Sequence, residues 1–139
     1  MTVTIAGELP SREEVLALYA AVGWGAYTDD ADRLMASLRG SYAVFTARDD
    51  AGGLVGLART ISDGHTIVYL QDILVHPDAQ RSGVGGALLD RVISDAAGIR
   101  QLVLLTDAEG GQRAFYESRG FVEVHEVKPA PLRSFVRLG

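Results

Sequence analysis

The stretch VHPDAQRSGVGGALL, residues 75–89, decides the fold because it joins an apolar strand to an apolar helix through a glycine-rich loop. Gly83, Gly85 and Gly86 stand at the junction, where the first backbone N–H groups of a helix have no intrahelical acceptor. Those groups and the helix dipole favour an anion, and glycine lets a phosphate approach the backbone closely. The stretch therefore predicts a site for a phosphate-bearing ligand.

The spacing of the loop excludes two common phosphate-binding loops. A P-loop requires Lys and Ser or Thr directly after its last glycine, whereas Ala87 follows Gly86 here. A dinucleotide fingerprint requires a third glycine at the position of Leu88 and begins almost directly after its strand. In this chain Gly83 lies eight residues beyond Val75. The loop is therefore a phosphate-binding site of another class.

The residues that follow the loop predict a β-α-β crossover. Val84, Leu88 and Val92 recur every four residues, which indicates a helix packed on a sheet. The apolar run at 101–106 is typical of a buried parallel strand. Further along the chain, the pattern predicts a helix over 110–119, a strand over 121–127 and a possible last strand over 133–138.

The residues that precede the loop predict helices first and then an antiparallel meander. Ser11 and Glu14 form a capping-box pattern at the start of one helix, and a second helix follows a short aromatic loop at 24–27. Strands are predicted at 2–6, 42–48, 54–61 and 66–75. We therefore expect one α/β domain, 1–139, whose mixed sheet is antiparallel at first, parallel around the crossover and flanked by helices.

Composition narrows the function classes. A formal net charge of −5 argues against a nucleic-acid partner, which needs a basic face. The chain has no cysteine, so disulfides and thiolate zinc sites are excluded. The three histidines have no metal-ligand spacing, and we expect no metal. No signal peptide or membrane span is visible in the first ten residues, so a cytoplasmic protein without a membrane partner is the default expectation.

Two motifs together identify a family. The loop at 80–86 fits the pattern Q-x-x-G-x-G, and residues 115–121 read F-Y-E-S-R-G-F, about thirty residues later. In this order the motifs resemble those of the GNAT superfamily of N-acetyltransferases, and the resemblance covers nearly the whole chain. It implies a GNAT-like sheet and acetyl-CoA as the acetyl donor. The chain departs from the pattern at Glu109, where many members of the family have asparagine.

The resemblance also implies roles for particular residues. Tyr116 is the expected general acid, which protonates the leaving thiolate. The strand edge at Ile73, Leu74 and Val75 is expected to bind the pantetheine arm and the acetyl oxygen. The pyrophosphate is expected on the loop and helix start, at Gln80, Arg81, Ser82, Gly83, Val84, Gly85 and Gly86.

The general base and the acceptor are less well defined by the sequence. Asp72 is the best carboxylate by position, although it is equally a strand residue satisfied by its neighbours; His76 and Glu109 are weaker candidates. Trp24 and Tyr27 are candidate substrate contacts or else a core anchor.

The expected reaction is direct attack by a primary amine of a small molecule in a ternary complex. A protein or peptide acceptor and a non-catalytic acyl-CoA-binding module remain the alternatives. A homodimer is possible through the segment at 133–138.

Overall fold

The computed structural model describes residues 2–139 as two compact units, the first ending at Leu105 and the second beginning at Thr106. The first unit contains the sheet and four α-helices: β1 Thr4–Gly7, α1 Arg12–Ala21, α2 Gly25–Thr28, α3 Ala31–Arg39, β2 Ala43–Arg48, β3 Leu54–Ser62, β4 Ile67–Val75, α4 Val84–Asp95 and β5 Gln101–Leu104. A 3-10 turn, Pro77–Ala79, follows β4. The second unit contains α5 Gly110–Glu117 and the 3-10 turn Val124–Glu126.

The sheet has the predicted mixed architecture. Its strands lie in the order β1-β2-β3-β4-β5. The first four pair antiparallel with their neighbours, and β4 pairs parallel with β5. The crossover that contains α4 joins the parallel pair, as the apolar helix and strand predict. The fold class inferred from the sequence is therefore confirmed.

Local capping explains where the early helices begin. The Ser11 side chain accepts from the Glu14 N–H at 3.2 Å, and the Glu14 carboxylate accepts from the Ser11 N–H at 3.1 Å. This reciprocal pair is the predicted capping box of α1. Asp30 caps α3 by accepting from the Arg33 N–H at 3.1 Å. The aromatic stretch at 24–27, which we expected to be a loop, forms most of the short helix α2 instead.

The pairing of strand β4 with its neighbours changes near Gln71, partway along the strand. Its residue Asp72 lies opposite Arg59, whereas Leu70 lies opposite Thr60, so Gln71 is an extra residue that forms a β-bulge. The pairing of β4 with β5 extends only as far as Leu70. Residues 71–75 are therefore paired with β3 on one side and open on the side of β5.

Helices cover both faces of the sheet. Leu57 and Leu74 lie in the core cluster formed with α1 and α3. Gly56 precedes Leu57 and faces the opposite side, where a Cβ would lie 2.9 Å from Leu88 and 3.0 Å from Val84 of α4. The glycine thus allows the first turns of α4 to lie directly on β3.

The strand predicted at 121–127 is wrong. Strand alternation would place Glu123 and Glu126 on opposite faces, whereas a 3-10 turn places residues three apart on the same side. Both carboxylates accept from the guanidinium of Arg113, at 2.7 and 2.6 Å. The turn, unlike strand alternation, places both carboxylates on the side of Arg113.

The possible strand at 133–138 is also not formed. Pro129 and Pro131 precede it, and the side chains of Phe135 and Leu138 are 88% and 86% exposed. Nothing in the described structure packs against these apolar side chains, and a strand without a neighbour has no ladder to stabilise it. Among residues 2–139, no strand follows β5.

Candidate functional site

The loop between β4 and α4 has an unusual backbone. Arg81 has φ 63° and Gly83 has φ 87°, so both lie in the left-handed region. Glycine adopts this conformation freely, whereas it costs a residue with a side chain ~1–2 kcal/mol. Such strain persists only when the surrounding structure enforces it, and it is concentrated at ligand-binding loops.

The start of α4 presents free hydrogen-bond donors. Gly83 is the N-cap residue and gives the helix no side-chain cap. The first intrahelical bond runs from the Ala87 N–H to the Gly83 carbonyl at 3.0 Å. The N–H groups of Val84, Gly85 and Gly86 therefore have no acceptor within the helix, and they lie at its positive end. Three convergent donors at this position suit a diphosphate.

Polar side chains of the loop hold its shape. Gln80 donates from Nε2 to the Val75 carbonyl at 3.2 Å, and the Ser82 hydroxyl donates to the Ala79 carbonyl. Both residues were predicted to bind the cofactor, and their side chains here stabilise the loop. Arg81 differs because its side chain is exposed and forms no ion pair with the rest of residues 2–139. Its guanidinium is therefore available to an anion at the loop.

The open side of β4 provides a second binding feature. Ile73 and Val75 are half-buried, whereas Leu74 is 3% exposed and belongs to the core. Their side chains carry no polar group, so any recognition here uses backbone N–H and C=O groups. An extended ligand with amide groups, such as a pantetheine arm, suits an open strand side of this kind.

Asp72 lies at the centre of a buried polar network in the first unit. Its Oδ2 accepts from Arg59 Nε at 2.5 Å and from the Tyr19 hydroxyl at 3.0 Å. Its Oδ1 accepts from the Tyr27 hydroxyl at 2.9 Å. Asp72 and Arg59 are only 5% and 6% exposed. The structure therefore shows the carboxylate satisfied by its neighbours, which is the alternative that the sequence left open.

Three aromatic rings surround the network. Tyr19 makes edge contacts with Trp24 and Tyr27, with centroids 5.8 and 5.3 Å apart. Tyr19 is fully buried, whereas Trp24 and Tyr27 are half-buried. Burial, and then the charge of Asp72, raise the pKa of the Tyr19 hydroxyl, which stays protonated as a donor. Trp24 and Tyr27 thus serve as core anchors and also retain exposed surface.

Sequence reasoning missed Tyr19 and Arg59. Tyr19 lies within the apolar stripe of α1, where an aromatic residue is most simply explained as packing. Arg59 lies in an apolar strand, and a buried arginine needs a partner. A cation on one strand and an acid on the next could have predicted an ion pair between Arg59 and Asp72. The bulge at Gln71 shifts the register, so the sequence alone does not place the two residues opposite each other.

Tyr116 lies on α5 in the second unit and is 8% exposed. Its ring contacts Phe115 and Phe121, with centroids 5.0 and 5.7 Å away. Burial, and then the negative charge of Asp107, raise the pKa of the Tyr116 hydroxyl. The phenol is therefore protonated at neutral pH, as a proton donor must be.

Two further features of residues 2–139 bear on the class of site. Across residues 2–139, no cluster of three or more His, Asp and Glu side chains has an arrangement that would hold a metal ion. None of the helices in that range is both long and apolar enough to cross a membrane.

Comparison with known families and solved structures gives a consistent result. The sequence model of the acetyltransferase (GNAT) domain matches residues 40–123. A GNAT-family acetyltransferase from Streptococcus pneumoniae is 30% identical in sequence, with a TM-score of 0.80 over 99% of this chain and 100% of that one. The protein AAC(6')-Iy, solved in complex with the bisubstrate analogue CoA-S-monomethyl-acetylneamine, has a TM-score of 0.73 at 21% identity, over 96% of this chain and 100% of that one.

Curated relatives match over shorter stretches. Serotonin N-acetyltransferase 2 of Oryza sativa subsp. japonica is 30% identical over 107 residues, which is 75% of this chain and 52% of that protein. An uncharacterized N-acetyltransferase of Porphyra purpurea is 29% identical over 75 residues, or 54% of this chain and 43% of that protein. The chain thus spans about half the length of the curated relatives it matches.

Proposed function

The chain belongs to the GNAT acetyltransferase family, and from this premise we propose that it transfers the acetyl group of acetyl-CoA to a primary amine of a small molecule. The observation that carries the proposal is the uncapped start of α4, which presents three free N–H groups directly after a strand with an open side. That combination suits a long ligand with a diphosphate at one end and amides along its length.

Binding of the donor is proposed to use the backbone. The N–H groups of Val84, Gly85 and Gly86 would hold the pyrophosphate, where hydrogen bonds to a charged group contribute about 1.5–3 kcal/mol each. Arg81 would add a cation from the loop. The backbone of residues 73–75 would bind the amides of the pantetheine arm and fix the thioester for attack.

The chemistry is a direct transfer in a ternary complex. The amine nitrogen attacks the thioester carbonyl carbon, and a C–N bond forms as the C–S bond breaks. The nitrogen loses one proton, and the thiolate of CoA gains one. Tyr116 is the proposed donor of the latter proton, because its raised pKa keeps the phenol protonated until a thiolate develops. Solvent then restores the proton to Tyr116.

The general base is not assigned to Asp72 in this scheme. Both carboxylate oxygens already accept hydrogen bonds, and a proton on Asp72 would break its pairing with Arg59. We propose that Asp72 acts through its neighbours and that water takes the amine proton. The base role of Asp72 remains a prediction from the sequence, which substitution of Asp72 by asparagine tests.

The acceptor that we propose is an arylalkylamine. Trp24 and Tyr27 are half-buried aromatic residues with ring centroids 6.1 Å apart, and the Tyr27 hydroxyl contacts Gln71 at the start of the open side of β4. A flat ring packs well on aromatic surfaces of this kind. One relative is named a serotonin N-acetyltransferase, which supports the same class. An aminoglycoside is the second candidate, because a neighbour was solved with an acetylneamine analogue and the net charge of −5 favours cations.

The experiment that tests this function combines binding and transfer. Calorimetric titration with acetyl-CoA measures donor binding, and thiol release is then followed with tryptamine, tyramine, neamine and a lysine-containing peptide. Thiol release with the arylalkylamines tryptamine and tyramine alone supports the proposal, and release with the peptide alone replaces the small acceptor by a protein. Binding of acetyl-CoA without thiol release in the presence of any of these amines would make the chain a non-catalytic acyl-CoA-binding module.

Three properties expected from the sequence accompany the proposal. We propose that residues 1–139 act as a single domain, and cooperative unfolding of both units in one calorimetric transition is the corresponding result. A homodimer is expected to appear as twice the chain mass in light scattering. The cytoplasmic location remains a prediction that fractionation of cells tests.

A further inference from the structure

We infer that the buried Arg59–Asp72 pair holds the proton of the Tyr27 hydroxyl toward Asp72. The Tyr27 oxygen can then only accept a hydrogen bond from a ligand, and it selects an amine substrate that presents an N–H donor. This inference rests on the proposed acetyl transfer and assigns a source of its amine specificity. All the residues that carry it lie in the first unit.

The Asp72 carboxylate acts only as a hydrogen-bond acceptor. Asp72 is buried beside the Arg59 guanidinium, at 2.5 Å from Nε. An ionised carboxylate has no proton to give, so it can only accept hydrogen bonds. Any hydroxyl that contacts it must therefore direct its proton toward it. Burial of both charges makes this arrangement hard to exchange for another, because either charge left alone would be unpaired in the interior.

The Tyr27 hydroxyl donates its proton to Asp72. A phenol carries one proton, and that of Tyr27 is directed to Asp72 Oδ1 at 2.9 Å. The lone-pair side of the oxygen therefore faces away from the carboxylate. There the amide nitrogen of Gln71 donates to it at 3.4 Å, longer than the usual 2.7–3.2 Å range. The position already accepts an N–H group, and it holds that group weakly.

Tyr27 differs from Tyr19 in its access to a ligand. Tyr19 makes the same kind of bond to Asp72, at 3.0 Å, but it is fully buried and no ligand reaches it. Tyr27 is half-buried, and Gln71 is the exposed bulge residue of β4. Gln71 also begins the part of β4 that has no partner in β5. A ligand nitrogen that displaces the Gln71 amide would thus lie at the start of the open strand side.

The chemical consequence is selection by donor direction. A neutral amine donates one N–H to the Tyr27 oxygen and keeps its lone pair for the thioester carbon. On attack the C–N bond forms, the C–S bond breaks, and water takes the proton lost by nitrogen, so Tyr27 keeps its own proton. A carboxylate has no proton to donate and would place lone pairs against lone pairs.

The test compares two matched variants, Tyr27→Phe and Tyr19→Phe, each of which removes one donor to Asp72. Losing a neutral hydrogen bond to substrate corresponds to about 5–10-fold, so Tyr27→Phe should raise the KM for tryptamine by that factor. Its Kd for acetyl-CoA should stay within about twofold of wild type, because a lost hydrogen bond to the amine does not affect the donor. Tyr19→Phe should lower the Tm and leave the KM for tryptamine unchanged. If tryptamine is not turned over, the fastest amine of the panel replaces it.

A second readout separates recognition from structure. Inhibition by the alcohol tryptophol and by indole-3-propionate is measured in wild type and Tyr27→Phe. We expect wild type to bind tryptophol, whose O–H can donate to Tyr27, more tightly than indole-3-propionate, which has no proton to donate, and Tyr27→Phe to reduce the ratio of the two inhibition constants. An equal rise of KM in both tyrosine variants, or no rise in Tyr27→Phe, would overturn the inference. Failure of wild type to bind acetyl-CoA overturns the proposed function instead, before any variant is compared.

Discussion

Gly56 of β3 and Leu88 of α4 are so close that a Cβ on the glycine would lie 2.9 Å from the Leu88 side chain. No ordinary Cβ contact is that short, and the same Cβ would lie 3.0 Å from Val84. Packing at this point therefore couples the central strand of the sheet to the turn of α4 that presents the free N–H groups. The position of the proposed anion site therefore depends on the absence of a side chain at Gly56.

Gly56→Ala tests this coupling. The added methyl group would overlap the side chains of Leu88 and Val84, which must shift within a buried contact between α4 and the sheet, and overpacking of this kind costs about 1–3 kcal/mol. We expect a lower free energy of unfolding and weaker acetyl-CoA binding, measured by denaturant titration and calorimetry. Gly52→Ala, in a surface turn where a Cβ meets nothing within 4 Å, is the control because it strains only a positive φ of 84°. Lower stability with unchanged acetyl-CoA affinity would show that the two are not coupled.

Arg81 is expected to separate backbone strain from charge. Arg81→Gly relieves the left-handed conformation, whereas Arg81→Ala keeps it, so the glycine variant should be more stable than the alanine variant by about 1 kcal/mol. Both variants lose the guanidinium and should bind acetyl-CoA more weakly, with a smaller dependence on salt. Thermal unfolding and calorimetry at two ionic strengths measure the two effects. Equal Tm values for the two variants would argue against a strained loop.

Tyr116→Phe addresses the proposed general acid. Loss of the phenol proton should reduce kcat well over tenfold, as general acids contribute about 100–10,000-fold, while acetyl-CoA binding is retained. Tyr42→Phe, an exposed tyrosine of the first unit, is the matched control and should leave kcat unchanged. Thiol release under saturating amine gives kcat, and calorimetry gives the Kd. A Tyr116→Phe protein with wild-type turnover removes this residue from the chemistry.

Asp72→Asn tests whether the buried pair is a unit. The substitution leaves the Arg59 cation buried without its carboxylate and should cost about 3–5 kcal/mol. The double variant Arg59→Met, Asp72→Asn removes both charges and should recover part of that loss. Denaturant titration of the two single variants and the double variant gives the coupling energy. If the double variant nevertheless transfers acetyl groups at the wild-type rate, Asp72 is neither base nor positioning residue.

Glu14 is expected to make stability depend on acid pH. Hydrogen bonds from Arg48 and then from the Ser11 N–H lower the pKa of Glu14 to about 2. Because the pKa of Glu14 in the folded protein lies below the ordinary value of ~4.3, the ionised side chain stabilises the protein at pH values above ~4.3. This contribution is lost as the pH falls toward 2.

The corresponding variant is Glu14→Gln. Its deficit in Tm relative to wild type should be largest near neutral pH and should shrink as the pH falls from ~5 to ~2, the window between the two pKa values. Glu13→Gln, exposed in the same helical turn, should show no such convergence. Parallel Tm curves for Glu14→Gln and wild type over that window would contradict the assignment.

The sequence predicted most of the first unit because its signals are local. Ser11 and Glu14 define a helix start within four residues, and Val84, Leu88 and Val92 define one face of α4. The Arg59–Asp72 pair was not predictable, since its two residues lie on different strands and the bulge between them shifts the register.

The second unit was harder to predict for a related reason. The segment at 121–127 contains three valines and a phenylalanine and alternates apolar and polar residues over 122–125, which indicates a strand. Its conformation instead follows from Arg113, a residue of the preceding helix that binds two of its carboxylates. Periodicity carries no information about such a partner. Prediction therefore succeeded where a pattern is satisfied by its own element and failed where a distant charge decides.

The missing side-chain cap of α4 has a consequence for the stability of the protein in the cell. An anion that occupies the free N–H groups completes the hydrogen bonding of the first helical turn, so the ligand becomes a removable part of the helix. Stability then rises with ligand concentration as RT ln(1 + [L]/Kd). Protection of the Gly85 and Gly86 amides from hydrogen exchange would therefore increase with the concentration of acetyl-CoA, and it would report how much of the protein has this ligand bound.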